Sequence, residues 1–589
     1  MREITTLLAF CVFATPLAGQ SSSSWYIVRI DGSPVGWMRD TRTDTAATIR
    51  TSSTTYMALN RLGSRVVIET AIATTEAPSG ALRSLDVGSR TSDQRINTTV
   101  VVNGRAATVG VEAGARRFDR TIALADSLLG PDAVRRLTLA RLRTVGDSVT
   151  FTAWDGQLNA PATVTRVAIA RDSLLTLIER STATPLATTI QLDKHGRTVN
   201  TQFDLPFGRV AIGRADSAAA LAASGGGSLS EESYTRTLVR TGIRLPRARE
   251  IDRLRVRLEW TANGDGSRRD SFPNLAGPGQ RVLARDRSSS TIETSRRRPR
   301  TTSVFPVAAT SELRDYLSPN AYIQSDEPRL VALARRVVGS ERDTFRAAVL
   351  LQRWVADSMQ FDLGVAFAPS VEVFEQRRGT CVAYATLLAT LARAVGIPSR
   401  IAMGYAYVNA IFGGHAWTEV LVGNDWVPID AALVSDGPAD AARFAFAWSS
   451  LAGGPGELTS GPATQLYGRL RARVEGFTID GTRRDVAAGA APYGIEGDRY
   501  RNDWLGLEIT KPAGFRLVEL DETWPSATVV AMERGAERVR VLLEPRRPWA
   551  PIPSGEDVIP AGLHVWRFEV ESRDAAALLR EVRRGVKTR

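Results

Sequence analysis

Three residues of one stretch, Cys381, His415 and Asp430, have the side chains that nucleophilic acyl chemistry requires. A thiolate attacks an amide or acyl carbonyl and forms a thioester, which water or an amine resolves. An imidazole takes up the thiol proton and returns it to the leaving amine, while a carboxylate holds the imidazole in the correct tautomer. We therefore predict Cys381 as nucleophile, His415 as base and Asp430 as orienting acid.

Cys381 is distinguished by its context. The other cysteine, Cys11, lies in the apolar run near the start of the sequence, in a predicted signal peptide, so the rest of the chain cannot form an internal disulfide. Residues 378–380 lead into apolar residues at helical spacing, which Gly396-Ile397-Pro398 ends. Cys381 is thus predicted on the first turn of a helix, where unpaired amides and the helix dipole lower a thiol pKa from about 8.5 towards roughly 3.5 to 7.5. Its own amide is a candidate oxyanion donor.

Three predicted strands carry the other two residues. They are residues 400–408, 415–421 and 426–430, with a loop at 409–414. If four residues form the whole turn of the second hairpin, Leu421 pairs with Trp426, and Asp430 falls opposite Trp417. Asp430 is then a diagonal neighbour of His415, at about 7 to 8 Å between backbones, which side chains can bridge. A turn one residue shorter places Asp430 on the opposite face, so its role depends on this register.

Four further residues lie close to these three in the sequence. Trp417 and Trp426 are expected to pack rather than to act in catalysis. Tyr405 is left open between the core and a substrate cleft. Gln376 is either a second oxyanion donor or a loop amide, and we favour the loop amide.

The sequence predicts no metal site and no cofactor. The other histidines, His195 and His564, fall at a hairpin tip and in a C-terminal strand, too scattered to form a zinc or iron site with Cys381. There is no glycine-rich phosphate loop and no set of cysteines for an iron–sulfur cluster.

Together, the motifs of this stretch resemble the transglutaminase-like core of bacterial exported proteins. The matching pieces are Gly379-Thr380-Cys381, Ala392-Arg393-Ala394-Val395-Gly396-Ile397-Pro398-Ser399-Arg400, Gly404-Tyr405, His415-Ala416-Trp417-Thr418-Glu419-Val420 and Trp426-Val427-Pro428-Ile429-Asp430. The resemblance extends from Glu327 to about Leu433. It implies a papain-like arrangement, a peptide or protein substrate, and hydrolysis or acyl transfer, with hydrolysis slightly favoured. Val382-Ala383 and Ala431 depart from many relatives, which leaves substrate preference open.

Two other functions compete with this one. A cell-wall amidase shares the order of cysteine, histidine and polar group, but residues 396–400 and the tryptophans flanking His415 and Asp430 differ from its pattern. A non-catalytic envelope binding or assembly protein would use the core as a scaffold and its β-rich flanks to bind a partner. The joint presence of Cys381, His415 and Asp430 counts against this alternative.

The whole chain is predicted to be an α+β multidomain protein, because 589 residues exceed the size of one core. We expect antiparallel β-rich N-terminal domains, a central papain-like or transglutaminase-like α+β core and a small α+β C-terminal module. The predicted parts are a signal peptide at 1–20, a β-rich domain at 21–223, a β-rich segment at 231–310, the core at 311–440, a connection at 441–499 and the C-terminal module at 500–589.

The segment at 1–20 has the features of a cleaved signal peptide. It contains Arg2, an apolar run at 7–17 and the small-residue exit Leu17-Ala18-Gly19. No other segment approaches the roughly 18 apolar residues of a membrane span. We therefore expect a periplasmic or secreted protein whose peptide or protein substrate can belong to the cell envelope.

The net charge of +12 does not by itself indicate a nucleic-acid partner. Three of the 75 basic residues are lysines, so 75 minus 3 leaves 72 arginines, a bias typical of a GC-rich genome. The densest basic run, at 296–300, lies in a Ser/Thr-rich stretch without aromatic residues to stack on bases. We expect this run to be a solvated linker and predict no nucleic-acid binding.

Overall fold

The computed structural model of the chain describes residues 20–588, except 62–63, 92–93, 185, 206–207, 226, 229–236, 242, 246, 262–271, 363–366, 409–410, 436, 488–493, 519 and 521–526. The predicted signal peptide at 1–20 lies outside the described residues, apart from its last position. The described chain is rich in antiparallel strands, and its longest helices surround the predicted site.

The N-terminal part forms one long antiparallel sheet of two meanders. Its main strands are Gln20–Ile30, Ser33–Asp44, Ile49–Arg61, Ser64–Glu76, Leu82–Thr91, Gln94–Asn103, Ala106–Ala113, Arg116–Ala123, Ser148–Asp155, Ala160–Arg171, Leu175–Ser181, Thr188–Leu192, Thr198–Leu205 and Gly208–Ala215. Helix Pro131–Arg141 separates the two meanders. The first strand pairs with the last, with Trp25 opposite Ala215, so the meanders join into one sheet. This part of the chain is β-rich, as the sequence predicts.

A second antiparallel sheet links this region to the core. In spatial order its strands are Gln280–Arg285, Ser289–Ser295, Arg253–Trp260, Leu470–Ile479 and Thr482–Asp485. Leu254 of the central strand lies opposite Phe477. The segment at 441–499 is therefore more than the predicted connection, because two of its strands complete this sheet.

The core sheet carries the predicted site residues. Its strands are Val239–Arg240, Ile411–Val422, Ser399–Val408 and Arg443–Ser449 in spatial order, with Asp425–Ile429 also pairing along Ile411–Val422. The strand of His415 begins at Ile411, so residues 411–414 are strand instead of the predicted loop. Arg443–Ser449 pairs with Ser399–Val408, so the predicted connection also supplies a strand of the core.

Helices cover one face of the core sheet. They are Arg314–Leu317, Pro328–Val338, Thr344–Ser358, Ser370–Gln376 and Cys381–Ala394. The helix that begins at Cys381 is buried on almost every side, because it lies between helices 328–338 and 344–358 and the sheet. Thr418 Oγ1 donates to the carbonyl of Ala385 at 2.9 Å, which fixes this helix to the strand of His415.

The basic run at 296–300 is only partly the solvated linker that the sequence predicts: Arg298 and Arg300 are exposed, but Arg296 and Arg297 pack against the core. The side chain of Arg296 is 7% exposed and donates to the carbonyl of Arg249. The guanidinium of Arg297 lies 3.2 Å from the carboxylate of Asp425, at the turn of the second hairpin. At least two arginines of the run therefore serve internal contacts.

The C-terminal part forms two small antiparallel sheets and one helix. The first sheet has strands Gly494–Glu496, Arg499–Asn502, Leu507–Thr510 and Val586–Thr588, and the second has Arg516–Val518, Thr528–Arg534, Glu537–Pro545, His564–Glu571 and Val558–Ala561. Helix Ala575–Arg584 buries Leu578 and Val582 against these strands.

Short elements elsewhere are helices Ser217–Ala222, Gly456–Thr459 and Pro462–Leu466 and strands Gly227–Ser228, Gln360–Phe361 and Arg378–Gly379. In the described part of the chain, no helix is long and apolar enough to cross a membrane.

Gly404 is required by the close approach of two core strands. A Cβ at this position would lie 1.9 Å from the carbonyl oxygen of Phe444 and 2.7 Å from Cα of Ala445. Because both are backbone atoms, Gly404→Ala is expected to separate the strands and to lower the free energy of unfolding by about 3 kcal/mol in urea titrations. Gly156→Ala is the matched control, since its Cβ would make an ordinary 3.8 Å contact with Val87. Equal stability of the two variants would contradict this account.

Candidate active site

Cys381 begins the buried helix, as the sequence predicts. It is partly exposed and packs against the core cluster that contains Tyr405. Its thiol is hydrogen-bonded to the side chain of His415 and accepts from the amide of Ala416. Burial by itself raises the pKa of the Cys381 thiol, but the charge and hydrogen bond of His415 outweigh burial, so the pKa lies below its ordinary value.

His415 lies on strand Ile411–Val422 with 8% of its surface exposed. Its Nε2 is 2.7 Å from Oδ2 of Asp430, which leaves Nδ1 for the thiol. Burial lowers the pKa of His415, but the negative charges of Asp430 and Cys381 raise it, and the net result is a pKa of about 9. The pKa of the thiol is lowered and the pKa of the imidazole is raised, so both shifts favour the charged pair of a thiolate beside an imidazolium.

The second hairpin has the register that the sequence predicts. Leu421 pairs with Trp426. The turn itself is tighter than expected, with Gly423-Asn424 between the strands and Gly423 in the left-handed conformation at φ 60°. The two extra pairing residues leave the register unchanged, so Asp430 and His415 lie within hydrogen-bond distance.

Asp430 is almost fully buried and accepts four hydrogen bonds. Its Oδ1 accepts from the amides of Ala432 and Leu433, both at 2.9 Å. Its Oδ2 accepts from His415 and from Nη1 of Arg443, the latter at 2.5 Å. Burial would raise the pKa of Asp430, but the charges of His415 and Arg443 and these hydrogen bonds hold it well below its usual range. The carboxylate is therefore fixed in position and ionised.

Arg443 extends this arrangement into a buried network of charges. Its Nη2 lies 2.7 Å from Oδ2 of Asp440, and Nη1 of Arg249 lies 2.9 Å from the same oxygen. Asp440 also accepts from the hydroxyl of Ser435 at 3.0 Å. Burial works against ionisation of Asp440, but Arg249 and Arg443 keep its pKa below its ordinary value. Arg443 thus fixes the position of Asp430, and Asp440 in turn fixes the position of Arg443.

The sequence analysis missed Arg443 because it assigns residues 441–499 to a connection. A usable signal was present: Arg443-Phe444-Ala445-Phe446-Ala447-Trp448 has the composition of a buried strand. The partner in space, Asp430, could be identified only once the pairing of Arg443–Ser449 with Ser399–Val408 was known.

Tyr467 is a second residue near the thiol that the sequence analysis missed. Its ring packs against Tyr405 at 5.2 Å between centroids, and its hydroxyl donates to the carbonyl of Gly404 at 3.4 Å. Burial raises the pKa of Tyr467 well above its ordinary value, and the charges of Tyr405 and Cys381 raise it further. Tyr467 is therefore a neutral hydroxyl that lies close enough to Cys381 for their electrostatic interaction to affect its pKa.

Tyr405 and Trp417 pack in the core, whereas Trp426 is half-buried beside Arg400, and the structure settles the open position of Tyr405. Tyr405 is fully buried among Phe444, Phe446 and Tyr467. Trp417 is 3% exposed, with the ring of His415 stacked on one side at 6.1 Å. These positions fit core packing better than a substrate cleft.

The other polar candidates are directed elsewhere. The amide of Gln376 donates to Glu372 of its own helix at 3.0 Å. His195 lies in a hairpin turn whose amides are bound by Asp193, and Nδ1 of His564 lies 3.2 Å from Glu250. Among the residues that the structure describes, no group of three or more His, Cys, Asp and Glu side chains is arranged to hold a metal ion.

The fold and the site together define a class of protein: a thiol on the first turn of a buried helix faces a histidine and a carboxylate on an adjoining antiparallel sheet. Residues 331–431 match the transglutaminase-like superfamily. The chain therefore contains a transglutaminase-like domain, and the resemblance seen in the sequence is confirmed. The matched residues include Cys381, His415 and Asp430.

Comparisons with other proteins cover parts of the chain. An uncharacterized protein of Mycobacterium leprae (strain TN) is 27% identical over 154 residues, which are 24% of this chain and 54% of that protein. This chain thus spans about half the length of that curated relative. A structure described as a candidate cysteine protease, from Cytophaga hutchinsonii, is 16% identical and covers 42% of this chain and 91% of its own, with a TM-score of 0.25. Another, a candidate protease from Parabacteroides distasonis ATCC 8503, is 9% identical and covers 83% and 93%, with a TM-score of 0.17.

Proposed function

We propose that this protein is an exported thiol enzyme of the transglutaminase-like type, which cleaves peptide or amide bonds or transfers their acyl groups through Cys381, His415 and Asp430. The observation that carries the proposal is the series of hydrogen bonds from the thiol through His415 to Asp430, at the start of a buried helix. The opposite pKa shifts of the thiol and the imidazole support the same roles.

The first half of the reaction forms a thioester. The thiolate of Cys381 attacks the carbonyl carbon of the amide, and the electron pair of the C=O bond moves to oxygen. The backbone amide of Cys381 is suited to donate to that oxygen, with the helix dipole adding to its stabilisation. As the carbonyl re-forms and the C–N bond breaks, Nδ1 of His415 gives its proton to the leaving amine.

The second half releases the acyl group. Water or an amine attacks the thioester carbon, His415 takes up the proton of the attacking group, and the sulfur leaves as thiolate. Asp430 keeps Nε2 of His415 protonated and directed away from the thiol in both halves, because its position is fixed by the amides of Ala432 and Leu433 and by Arg443. The starting thiolate–imidazolium pair is thereby restored.

Hydrolysis is the outcome we favour over acyl transfer, because the family resemblance of the sequence slightly favours it. The substrate proposed is a peptide or protein. Cleavage of the signal peptide predicted at 1–20 would place the enzyme in the periplasm or outside the cell, where envelope proteins are accessible. The alternative of a non-catalytic scaffold is not favoured, because a scaffold has no need for an ionised thiol.

Alkylation of Cys381 by iodoacetamide tests the ion pair directly. An ordinary thiol is about 0.3% ionised at pH 6, so its labelling rate rises roughly tenfold per pH unit. We expect the rate at Cys381 to change less than about threefold between pH 6 and 8, because the proposed ion pair keeps the thiol ionised over this range. His415→Ala should restore the tenfold dependence. The rates are read by mass spectrometry of the peptide that contains Cys381.

His195→Ala is the matched control for this experiment, since His195 lies in an exposed hairpin and its removal should leave the profile unchanged. A wild-type rate that climbs tenfold per pH unit from pH 6 to 8, or a His415→Ala profile identical to wild type, would show that no activated pair exists.

A further inference from the structure

A cavity of about 310 Å³ lies between the core and the C-terminal module. Tyr384, Tyr407 and residues 431–434 line it on the core side, and Leu543 and His564 on the C-terminal side. The described residues that line it do not include Cys381, His415 or Asp430. The cavity is therefore a separate feature, although its wall begins directly after Asp430 in the chain.

The polar lining of this cavity is positively charged. Five arginines contribute to it: Arg244, Arg247, Arg249, Arg546 and Arg547. No aspartate or glutamate is among the described lining residues. Several of these arginines are held by carboxylates that do not line the cavity, such as Asp440 for Arg249 and Asp357 for Arg547.

Arg546 differs from these two arginines in its partners. Its Nε donates to the carbonyl of Gly562 at 2.8 Å and its Nη1 to the carbonyl of Arg547 at 3.3 Å. Within the described part of the chain, Arg546 forms no ion pair with a carboxylate. Its half-buried charge is thus uncompensated at the edge of the cavity, where the low dielectric strengthens attraction to an anion.

Arg249 contributes a second, almost fully buried guanidinium to the lining. It is 5% exposed, and burial lowers its pKa, with Arg443 and Arg296 acting in the same direction and Asp440 and Asp430 against it. An anion in the cavity would gain a further favourable interaction with this buried guanidinium. Asp440 is shared between Arg249 and Arg443, and Arg443 has Asp430 as a further partner.

Apart from the arginines, Tyr384, Tyr407 and His564, the side chains of the lining are apolar. They include Leu245, Val408, Leu433, Val434, Leu505 and Val529. A dry cavity of about 150 Å³ lined by such residues holds benzene, so about twice that volume holds roughly a dozen non-hydrogen atoms. Mostly apolar walls with a few convergent polar groups are typical of small-molecule sites.

We propose that this cavity binds a small amphiphilic carboxylate, with its apolar body against the aliphatic walls and its carboxylate at Arg546. Guanidinium groups bind carboxylates through two parallel N–H···O bonds, which fixes the orientation of such a ligand. The proposal does not depend on the chemistry at Cys381.

Isothermal titration of the full-length mature protein with octanoate tests the proposal. Octanoate has about ten non-hydrogen atoms and fits the volume. Octan-1-ol, which lacks the carboxylate, should bind at least tenfold more weakly, because a charge-assisted bidentate contact is lost. Arg546→Met should also weaken octanoate binding at least tenfold. Inorganic phosphate is titrated as the anion without an apolar body.

Arg584→Met is the matched control, because Arg584 is exposed on the C-terminal helix and, like Arg546, donates Nε to a backbone carbonyl. It should change affinity less than twofold. Arg547→Met, at an exposed lining residue that is ion-paired with Asp357, provides a second variant and should weaken binding severalfold. Octanol binding as tightly as octanoate, phosphate displacing octanoate at equal concentration, or equal losses in Arg546→Met and Arg584→Met would each overturn the proposal.

Discussion

Cys381→Ala is expected to abolish amide-bond turnover, with kcat lower by about 10⁴-fold or more. The reason is that the thioester cannot form without the sulfur, and the one other cysteine, Cys11, lies in the predicted signal peptide and cannot replace it. His415→Ala should lose nearly as much. The double variant should lose no more than either single variant, because nucleophile and base act as one unit.

The measurement uses fluorescently labelled casein for hydrolysis and incorporation of dansylcadaverine for acyl transfer, on the mature wild-type protein and its variants. Acid quenching followed by intact-mass analysis should show an acyl adduct on wild type and none on Cys381→Ala. His195→Ala is the surface control and should retain kcat within about twofold, as distant surface changes do. An adduct on Cys381→Ala, or equal turnover of that variant and wild type, would assign the core a scaffold role instead.

The main geometry of the site could be predicted from the sequence because it depends on local features. The position of Cys381 follows from a helix start, which apolar periodicity marks. The proximity of His415 and Asp430 follows from a single hairpin, whose turn sets the register of both strands. The predicted turn is two residues too long, but the register is still correct, because Val422 and Asp425 form one additional pair of the same hairpin.

The support behind the site could not be predicted, because it depends on contacts between distant parts of the chain. Arg443 reaches Asp430 only through the pairing of its strand with Ser399–Val408, and Arg249 reaches Asp440 from a segment far earlier in sequence. Local pattern contains no information on which strand lies beside which. The same limit explains Arg296, whose run looks like a polar linker until the carbonyl that it contacts is known.

In the large N-terminal sheet, too, local features could be predicted from the sequence and pairings between distant strands could not. Its strands and turns are local, and alternation with turn residues such as Asp31-Gly32 predicts them. The pairing of Gln20–Ile30 with Gly208–Ala215 joins the two ends of the region, and these two strands lie far apart in the sequence. Such a pairing has no local signal, because many other partners would satisfy the same alternation.

Arg443→Met is expected to lower the free energy of unfolding by about 3 to 5 kcal/mol at pH 7, because it leaves Asp430 buried with one of its two cationic partners removed. The pKa of Asp430 is lowered in the folded protein, so its ionisation stabilises the fold above about pH 4, and this contribution is lost as the pH falls through the folded pKa. Without Arg443 the folded pKa rises. The difference between variant and wild type should therefore be largest near pH 7 and narrow as the pH falls below about 4, as urea titrations at several pH values can measure.

The pH dependence of Cys381 labelling in Arg443→Met shows whether Arg443 positions Asp430 or only stabilises the fold. Asp430 raises the pKa of His415, so an Asp430 that is displaced or protonated in Arg443→Met should return Cys381 labelling to a steep pH dependence. Arg400→Met is the matched control: it removes another buried ion pair of the same sheet, Arg400 with Glu419 at 2.6 Å, on residues that do not contact the site histidine. Burial outweighs Arg400 and raises the pKa of Glu419, which can therefore accept a proton when Arg400 is lost. Arg400→Met should lose some stability and keep the flat labelling profile, whereas identical profiles in the two arginine variants would mean that Arg443 supports only the fold.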